Sequence, residues 1–180
     1  ARRAITLSPD LPDDVYLSIN ASPATTCHPV FAELIATTPG TRIVVELTEH
    51  IGIDDYDAVV PALDQLRLQG VRIAVDDAGA GFASLQHVLR LLPEIIKLDG
   101  VFTRTLDRDP VRRAMVSAFV GFAREIGATI VAEGIESAAE VSALIDLGVE
   151  HGQGYFLGRP GSISDVFGAR ALDHVAPTAA

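Results

Sequence analysis

Residues 71–85, VRIAVDDAGAGFASL, decide the fold. The first five residues are a short apolar run rich in Val and Ile, which predicts a buried strand. The adjacent acids Asp76 and Asp77 end this run, and a segment rich in Gly and Ala follows them. Working outward, the same kind of short apolar run recurs along the chain, separated by amphipathic stretches.

The runs predict six strands and the stretches between them predict helices. Asp109 and Pro110 read as the start of a helix that ends at Gly127, and Ser137 with Glu140 forms a capping box for another. Alternating strands and helices indicate parallel β/α units. With no linker visible, residues 1–180 are interpreted as a single domain. The predicted strands are residues 15–20, 42–47, 71–75, 95–98, 129–132 and 154–157.

Polar residues mark the ends of these strands at regular intervals. Their spacings are 26, 30, 21, 36 and 20 residues. A (β/α)8 barrel of about 250 residues uses about 31 per unit. We therefore predict an α/β, TIM-like barrel with six of about eight strands present, the first two lying before Ala1. An open six-stranded sheet would instead leave unprotected edges. The strand-end residues are Asn20, Glu46, Asp76, Lys97, Glu133 and Gln153.

Composition excludes several classes of function. The chain has 24 acidic and 14 basic residues, a formal net charge of −10, which argues against a DNA- or RNA-binding face. A single cysteine, Cys27, excludes an internal disulfide framework and favours a reducing, cytoplasmic compartment. No apolar run approaches the roughly 18 residues of a membrane span.

In a parallel barrel the strand-end side chains converge on one rim, where the active site lies. The adjacent carboxylates of Asp76 and Asp77 repel each other, and a divalent cation such as Mg²⁺ would relieve that repulsion. The alternative is an acidic pair at a helix N-terminus. A dinucleotide-binding loop is a poorer reading, because Ser84 replaces its third glycine and the two acids would oppose a pyrophosphate.

Each of the other candidates also has a structural reading. Lys97, the only lysine beside 13 arginines, is either an ordinary salt-bridge partner or a cation that orients or deprotonates an attacking water. Glu133 ends a strand directly and is a candidate ligand or base, whereas Glu136 reads equally as helix N-terminal charge. Glu46 can be a strand terminus, Glu49 a surface or loop-bracing acid, and Gln153 a turn residue.

Six motifs occur in order, and together they carry a family resemblance: NAS at 20–22, ELTE at 46–49, DDAGAGFASL at 76–85, LPEIIKLDGVF at 92–102, AEGIES at 132–137 and QGYFLGRP at 153–160. As an ordered set they resemble the EAL-domain phosphodiesterases, which hydrolyse the bacterial second messenger cyclic di-GMP. The resemblance spans residues 15–160, without the N-terminal E-A-L segment.

The resemblance implies a TIM-like barrel holding two Mg²⁺ or Mn²⁺ ions and a reaction that yields linear pGpG. It also implies cyclic di-GMP as ligand, a homodimer, attached sensor or GGDEF domains and a cytoplasmic location. By position, the implied metal ligands are Asn20, Glu46, Asp76, Asp77 and Glu133. Lys97 would contact the nucleophilic water, and Glu133 would serve as ligand or base. The residues that would support the site or the substrate are Glu49, Glu136 and Gln153.

Two departures from the family pattern leave an alternative open. The E-A-L strand, with its metal-binding Glu, is not in this sequence. The loop that usually reads DDFGTGYSSL has lost polar groups at Ala80, Phe82 and Ala83, with Ala78 replacing its first Phe. The alternatives are therefore an inactive domain that binds cyclic di-GMP or a partner protein, or a remnant whose barrel is completed by another segment.

Overall fold

A computed structural model describes residues 5, 11–12, 15–37, 42–47, 55–79 and 82–162, the first three residues of helix 82–91 by their backbone alone. Within these residues six strands form one sheet, and every neighbouring pair is parallel. The strands are β1 (Leu17–Ala21), β2 (Ile43–Leu47), β3 (Arg72–Ala78), β4 (Ile95–Leu98), β5 (Thr129–Ala132) and β6 (His151–Gly152).

Helices connect the strands. The described helices are α1 (Pro23–Thr26), α2 (Pro29–Ile35), α3 (Tyr56–Leu68), α4 (Phe82–Leu91), α5 (Gly100–Thr103), α6 (Pro110–Ile126) and α7 (Ala138–Asp146). The sequence did not indicate α1 or α5, because four residues are too few to show a helical period.

Strand order identifies the fold class. The strands neighbour one another in chain order, β1-β2-β3-β4-β5-β6. In a doubly wound sheet the order in which strands are added reverses at a switch point, whereas in a (β/α) barrel each strand is added beside the previous one. The predicted TIM-like architecture with six strands is therefore confirmed.

The predicted strand at 154–157 is wrong. β6 is instead His151–Gly152, and residues 155–157 form a turn in which the Leu157 and Gly158 amides donate to the Gly154 carbonyl. The side chains of Tyr155, Phe156 and Leu157 are half or more exposed, so they are not part of the core that the described residues form. The correction places Gln153 directly after β6, just as Glu133 directly follows β5.

The helix-end predictions are confirmed. Asp109 accepts from the Val111 and Arg112 amides, and Gly127 ends α6 in the left-handed region at φ 74°. Ser137 and Glu140 make the reciprocal capping box at the start of α7. Local hydrogen bonding of this kind depends on residues two or three positions apart, which is why the sequence reveals it.

The sheet buries apolar side chains on both faces. The larger cluster packs against the helices and includes Ile43, Val45, Ile73 and Ile96. A second cluster contains Val44, Ala74, Ile95 and Val131, all at most 8% exposed. Since successive strand residues point to opposite faces, the second cluster lies on the face turned away from the helices.

Among the described residues, none of the helices combines the length and the apolar character needed to cross a bilayer.

Glu140 links the segment after α5 to the segment between β5 and α7 through hydrogen bonds to backbone amides. Its carboxylate is buried and accepts from the amides of Thr105, Glu136 and Ser137 at 2.8–3.0 Å. Burial raises the pKa of Glu140, but these hydrogen bonds outweigh burial and hold it below its usual value. We expect Glu140→Gln to lower the free energy of unfolding by about 1–3 kcal/mol at pH 7, because an amide NH₂ group cannot accept.

The pH dependence follows from the lowered pKa. The stabilisation is complete above the unfolded-state pKa of about 4.3, declines as pH falls below it and vanishes below the folded-state pKa. Urea unfolding of wild type and Glu140→Gln at pH 7 and at successively lower pH measures the difference. Glu125→Gln, an exposed change on α6, is the control. A wild-type advantage that is constant across this range would contradict the assignment.

Candidate active site

The site lies directly above the second apolar cluster. Each of four site residues follows a member of that cluster by two positions and is therefore on the same face; three lie within their strands, and Glu133 is the first residue after β5. The apolar side chains of this cluster exclude water on the side of the site that faces the strand centres. On the other side, at the carboxyl ends of the strands, the site is open. The pairs are Val44 with Glu46, Ala74 with Asp76, Ile95 with Lys97, and Val131 with Glu133.

Lys97 is the centre of the arrangement. Its Nζ lies 3.0 Å from Glu46 Oε2, 2.8 Å from Asp76 Oδ1 and 2.7 Å from Glu133 Oε1. Its side chain is 8% exposed. The ammonium thus gathers one carboxylate each from β2, from β3 and from the end of β5. These ion pairs with three partners are compatible with both readings of Lys97.

Two further side chains complete these hydrogen bonds. Ser18 Oγ donates to Glu46 Oε1, and Gln153 Nε2 donates to Glu133 Oε1 at 2.7 Å. Gln153 is therefore joined to the site rather than a simple turn residue. Sequence reasoning missed Ser18; the available signal was its position two residues before Asn20, which places both on one face of β1.

A β-bulge brings the second acid of the Asp pair to the same place. Val75 pairs with Ile96 and Ala78 with Leu98, so both Asp76 and Asp77 lie opposite Lys97. Asp77 has φ 49°, an uncommon value for a residue with a side chain. The bulge gives Asp76, Asp77 and Glu133 carboxylate oxygens within 4.8 Å of one another, a set that suits a hard divalent cation.

The pKa shifts follow from the unequal charges. Burial lowers the pKa of Lys97, but its hydrogen bonds to Asp76 and Glu133 and the charge of Glu46 outweigh burial and raise it above its usual value. Burial also raises the pKa of Glu133; Lys97 opposes this, while Asp76 and Asp77 reinforce it. A raised pKa favours the charged form of Lys97, because its ammonium faces several anions. A raised pKa favours the neutral form of Glu133, because its carboxylate is buried and faces two anions beside one cation.

The remaining predicted residues lie around this centre. Asn20 is the register partner of Glu46 and is exposed at the end of β1. Glu136 is exposed on the rim, 3.8 Å from the Arg104 guanidinium. Glu49 lies outside the described residues. Cys27, exposed and with its Sγ 3.7 Å from the Ala58 carbonyl oxygen, takes no part in the cluster.

A groove of about 720 Å³ extends from the site along the loop after β6. Its lining includes Gln153, Glu136, Arg104, Tyr155 and Arg159. The groove is large enough for a substrate of nucleotide size, and it begins at the residue that contacts Glu133.

Parallel β/α units in barrel order, with acidic side chains and one lysine at the carboxyl ends of their strands, place the chain in the class of TIM-like β/α barrels. Residues 2–160 match the family described as EAL domain, and the chain belongs to that family. This confirms the resemblance seen in the motifs.

Relatives of the chain include named cyclic di-GMP enzymes. The chain is 39% identical over 67% of its length to the bifunctional diguanylate cyclase/cyclic di-GMP phosphodiesterase MucR of Pseudomonas aeruginosa. It is 32% identical over 81% of its length to the cyclic di-GMP phosphodiesterase RocR of the same organism. The chain spans 18% of MucR and 39% of RocR.

Among solved structures, the manganese/cyclic di-GMP complex of Klebsiella pneumoniae BlrP1 is similar, with a TM-score of 0.79 and 27% identity. The likeness covers 88% of this chain and 42% of that one.

Removing the central cation tests the electrostatic description of the site. We expect Lys97→Met to lower the free energy of unfolding by about 3–5 kcal/mol, because three carboxylates lose their partner. Adding Asp76→Asn should then recover part of the loss, since it removes one of the repelling charges. Urea unfolding of both single variants and the double variant, in chelator, measures the coupling. A double variant that is less stable than Lys97→Met would contradict the description.

Proposed function

We propose that the protein containing this chain hydrolyses cyclic di-GMP to linear pGpG in a metal-dependent reaction. The observation that carries the proposal is the buried Lys97 ammonium held among carboxylates from three strands, with Asp76, Asp77 and Glu133 close enough to share a cation. The relatives named as cyclic di-GMP phosphodiesterases support the choice of substrate.

The donor set fits divalent metal ions. The Lys97 ammonium contacts the carboxylates of Glu46, Asp76 and Glu133, so one positive charge is shared by three negative ones. The oxygens are those that Mg²⁺ and Mn²⁺ prefer. Two such ions would be held by Asn20, Glu46, Asp76, Asp77 and Glu133. When bound, they supply charge neutralisation of the diester, a lowered pKa for an attacking water and stabilisation of the leaving oxygen.

The protein's own residues orient the reacting groups. Lys97 lies at hydrogen-bond distance from Asp76 and Glu133, and would direct the attacking water between them. Glu133, with its pKa raised above the usual value, is the candidate to take the proton. Gln153 holds the Glu133 carboxylate by its amide, and Glu136 lines the groove toward the rest of the substrate.

An inactive domain that binds cyclic di-GMP is the second candidate. The observation behind it is the apolar replacement of the loop after Asp77, at Ala78, Ala80, Phe82 and Ala83. Loss of polar groups in the segment that follows Asp77 in the sequence favours binding without turnover. In either case we propose a cytoplasmic protein that carries further sensor or GGDEF domains and does not bind DNA or RNA.

Asp76→Asn discriminates these functions. We expect full-length wild type with Mn²⁺ to produce pGpG, detected by chromatography, and Asp76→Asn to reduce the rate at least about 100-fold, because the cation site loses a charge. Circular dichroism should show an unchanged fold. Asp146→Asn, an exposed change at the end of α7, is the matched control and should retain activity.

The outcomes separate the two candidates. A fully active Asp76→Asn protein would refute the mechanism. Wild type that binds cyclic di-GMP in Ca²⁺ yet forms no pGpG in Mg²⁺ or Mn²⁺ would establish the inactive candidate instead.

We also propose that the protein is a homodimer through an apolar groove between α4 and α6. The groove is lined by apolar side chains that include Leu85, Leu89 and Met115, of which Leu89 is 64% exposed. Two copies of a chain with net charge −10 repel each other, so self-association needs an uncharged face. This groove is such a face, and burying it removes apolar area from water.

Leu89→Glu tests the dimer. The charge should convert the dimer to a monomer in light scattering coupled to gel filtration. Leu68→Glu, at an 80% exposed leucine on α3, should leave the dimer intact. Monomeric wild type, or equal effects of both substitutions, would contradict the proposal.

A further inference from the structure

We propose that Thr103 is a positioning residue, which fixes Glu133 against Lys97 by holding the Glu133 backbone carbonyl. The inference rests on the proposed function, since Glu133 is there the ligand or base. Thr103 was not among the residues that the sequence singled out.

The contact is direct and buried. Thr103 is 0% exposed, and its hydroxyl donates to the Glu133 carbonyl oxygen, 30 residues further along the chain. The Glu133 amide in turn donates to the Leu98 carbonyl at 3.0 Å. Glu133 is thus held on both sides by the β4–α5 unit, which also carries Lys97. The backbone that presents the Glu133 carboxylate is therefore hydrogen-bonded to the same unit that carries the ammonium it contacts.

The neighbouring glycines leave room for this contact. A Cβ added to Gly134 would lie 3.1 Å from the Gly100 Cα atom and 3.7 Å from Thr103 Oγ1. Gly134 has φ 66°, a value that favours glycine. The turn after β5 therefore passes backbone against backbone over the start of α5, and the Thr103 hydroxyl is the polar link at that crossing.

A second link holds the far end of the same turn. The Thr105 amide donates to Glu140 Oε1 at 2.9 Å, and the Glu136 amide donates to Glu140 Oε2 at 2.8 Å. With this end fixed through Glu140, loss of the Thr103 hydroxyl frees only the part of the turn nearest Glu133. A displacement of about 1 Å in a reacting group can cost about 100-fold in rate.

Thr103→Val removes the hydroxyl and keeps the shape of the side chain. In the full-length protein with Mn²⁺, we expect kcat for cyclic di-GMP hydrolysis to fall about 10- to 100-fold with KM within about twofold. Amide exchange at Glu133 should accelerate at least about tenfold relative to strand-centre amides of β5. Mn²⁺ binding by calorimetry should weaken, and Thr103→Ser should restore all three quantities.

Thr26→Val is the matched control. Thr26 is also buried, and its hydroxyl donates to the Pro23 carbonyl at 2.8 Å within α1. The control therefore loses the same kind of bond away from Glu133, and should leave kcat and Glu133 exchange unchanged. If Thr103→Val does not fold, Thr103→Ala, which adds no bulk, replaces it.

Each outcome decides the inference. Unchanged Glu133 exchange, an unchanged kcat, no rescue by Ser, or an equal loss in Thr26→Val would overturn it. Failure of the proposed function appears differently, as wild type that forms no pGpG. In that case Glu133 exchange and Mn²⁺ affinity, compared between wild type, Thr103→Val and Thr103→Ser, still decide whether Thr103 fixes Glu133.

Discussion

The ammonium of Lys97, shared by three carboxylates, is the interaction on which the rest of the site depends. Glu46, Asp76 and Glu133 reach it from three separate strands, within 3.0 Å of one atom. Bringing such charges together in a largely buried place is costly unless each has a partner, and a buried ion pair adds little net stability. The arrangement is thus better explained by its chemistry than by the stability of the fold.

One face of the sheet forms most of the apolar core, and the other carries the candidate active site. The face against the helices carries the larger apolar cluster, which supplies most of the buried apolar area. The opposite face carries a small apolar layer of Val44, Ala74, Ile95 and Val131, and the polar side chains begin two residues beyond each of them. Stability and chemistry therefore use alternate positions of the same strands. Because of this alternation, the charged groups lie next to a layer of buried apolar side chains, and electrostatic interactions are stronger in such a low-dielectric environment.

Features that depend on residues close together in the sequence could be predicted, and features that depend on distant residues could not. The caps at Asp109 and Ser137 depend on residues two or three positions away, and the sequence indicates them correctly. The strand at 154–157 was predicted from its apolar residues, but those side chains are half or more exposed and the segment forms a turn. Thr103 was missed because its contact spans 30 residues, a distance at which no periodicity in the sequence operates. The strand period placed Ser18 on the face of Asn20, but its partner Glu46 lies 28 residues away and the sequence did not reveal the contact.

The sequence by itself determined the parallel β/α class, the polar residues at the strand ends and membership of the EAL domain family, because strand period, helix caps and ordered motifs are all properties of the linear chain. Only the tertiary structure decided which acids share Lys97, how the bulge brings Asp77 beside Asp76, and that the Thr103 hydroxyl donates to the Glu133 carbonyl. Those facts depend on register between strands and on backbone crossings between distant loops, and such distances are set by packing rather than by spacing along the chain.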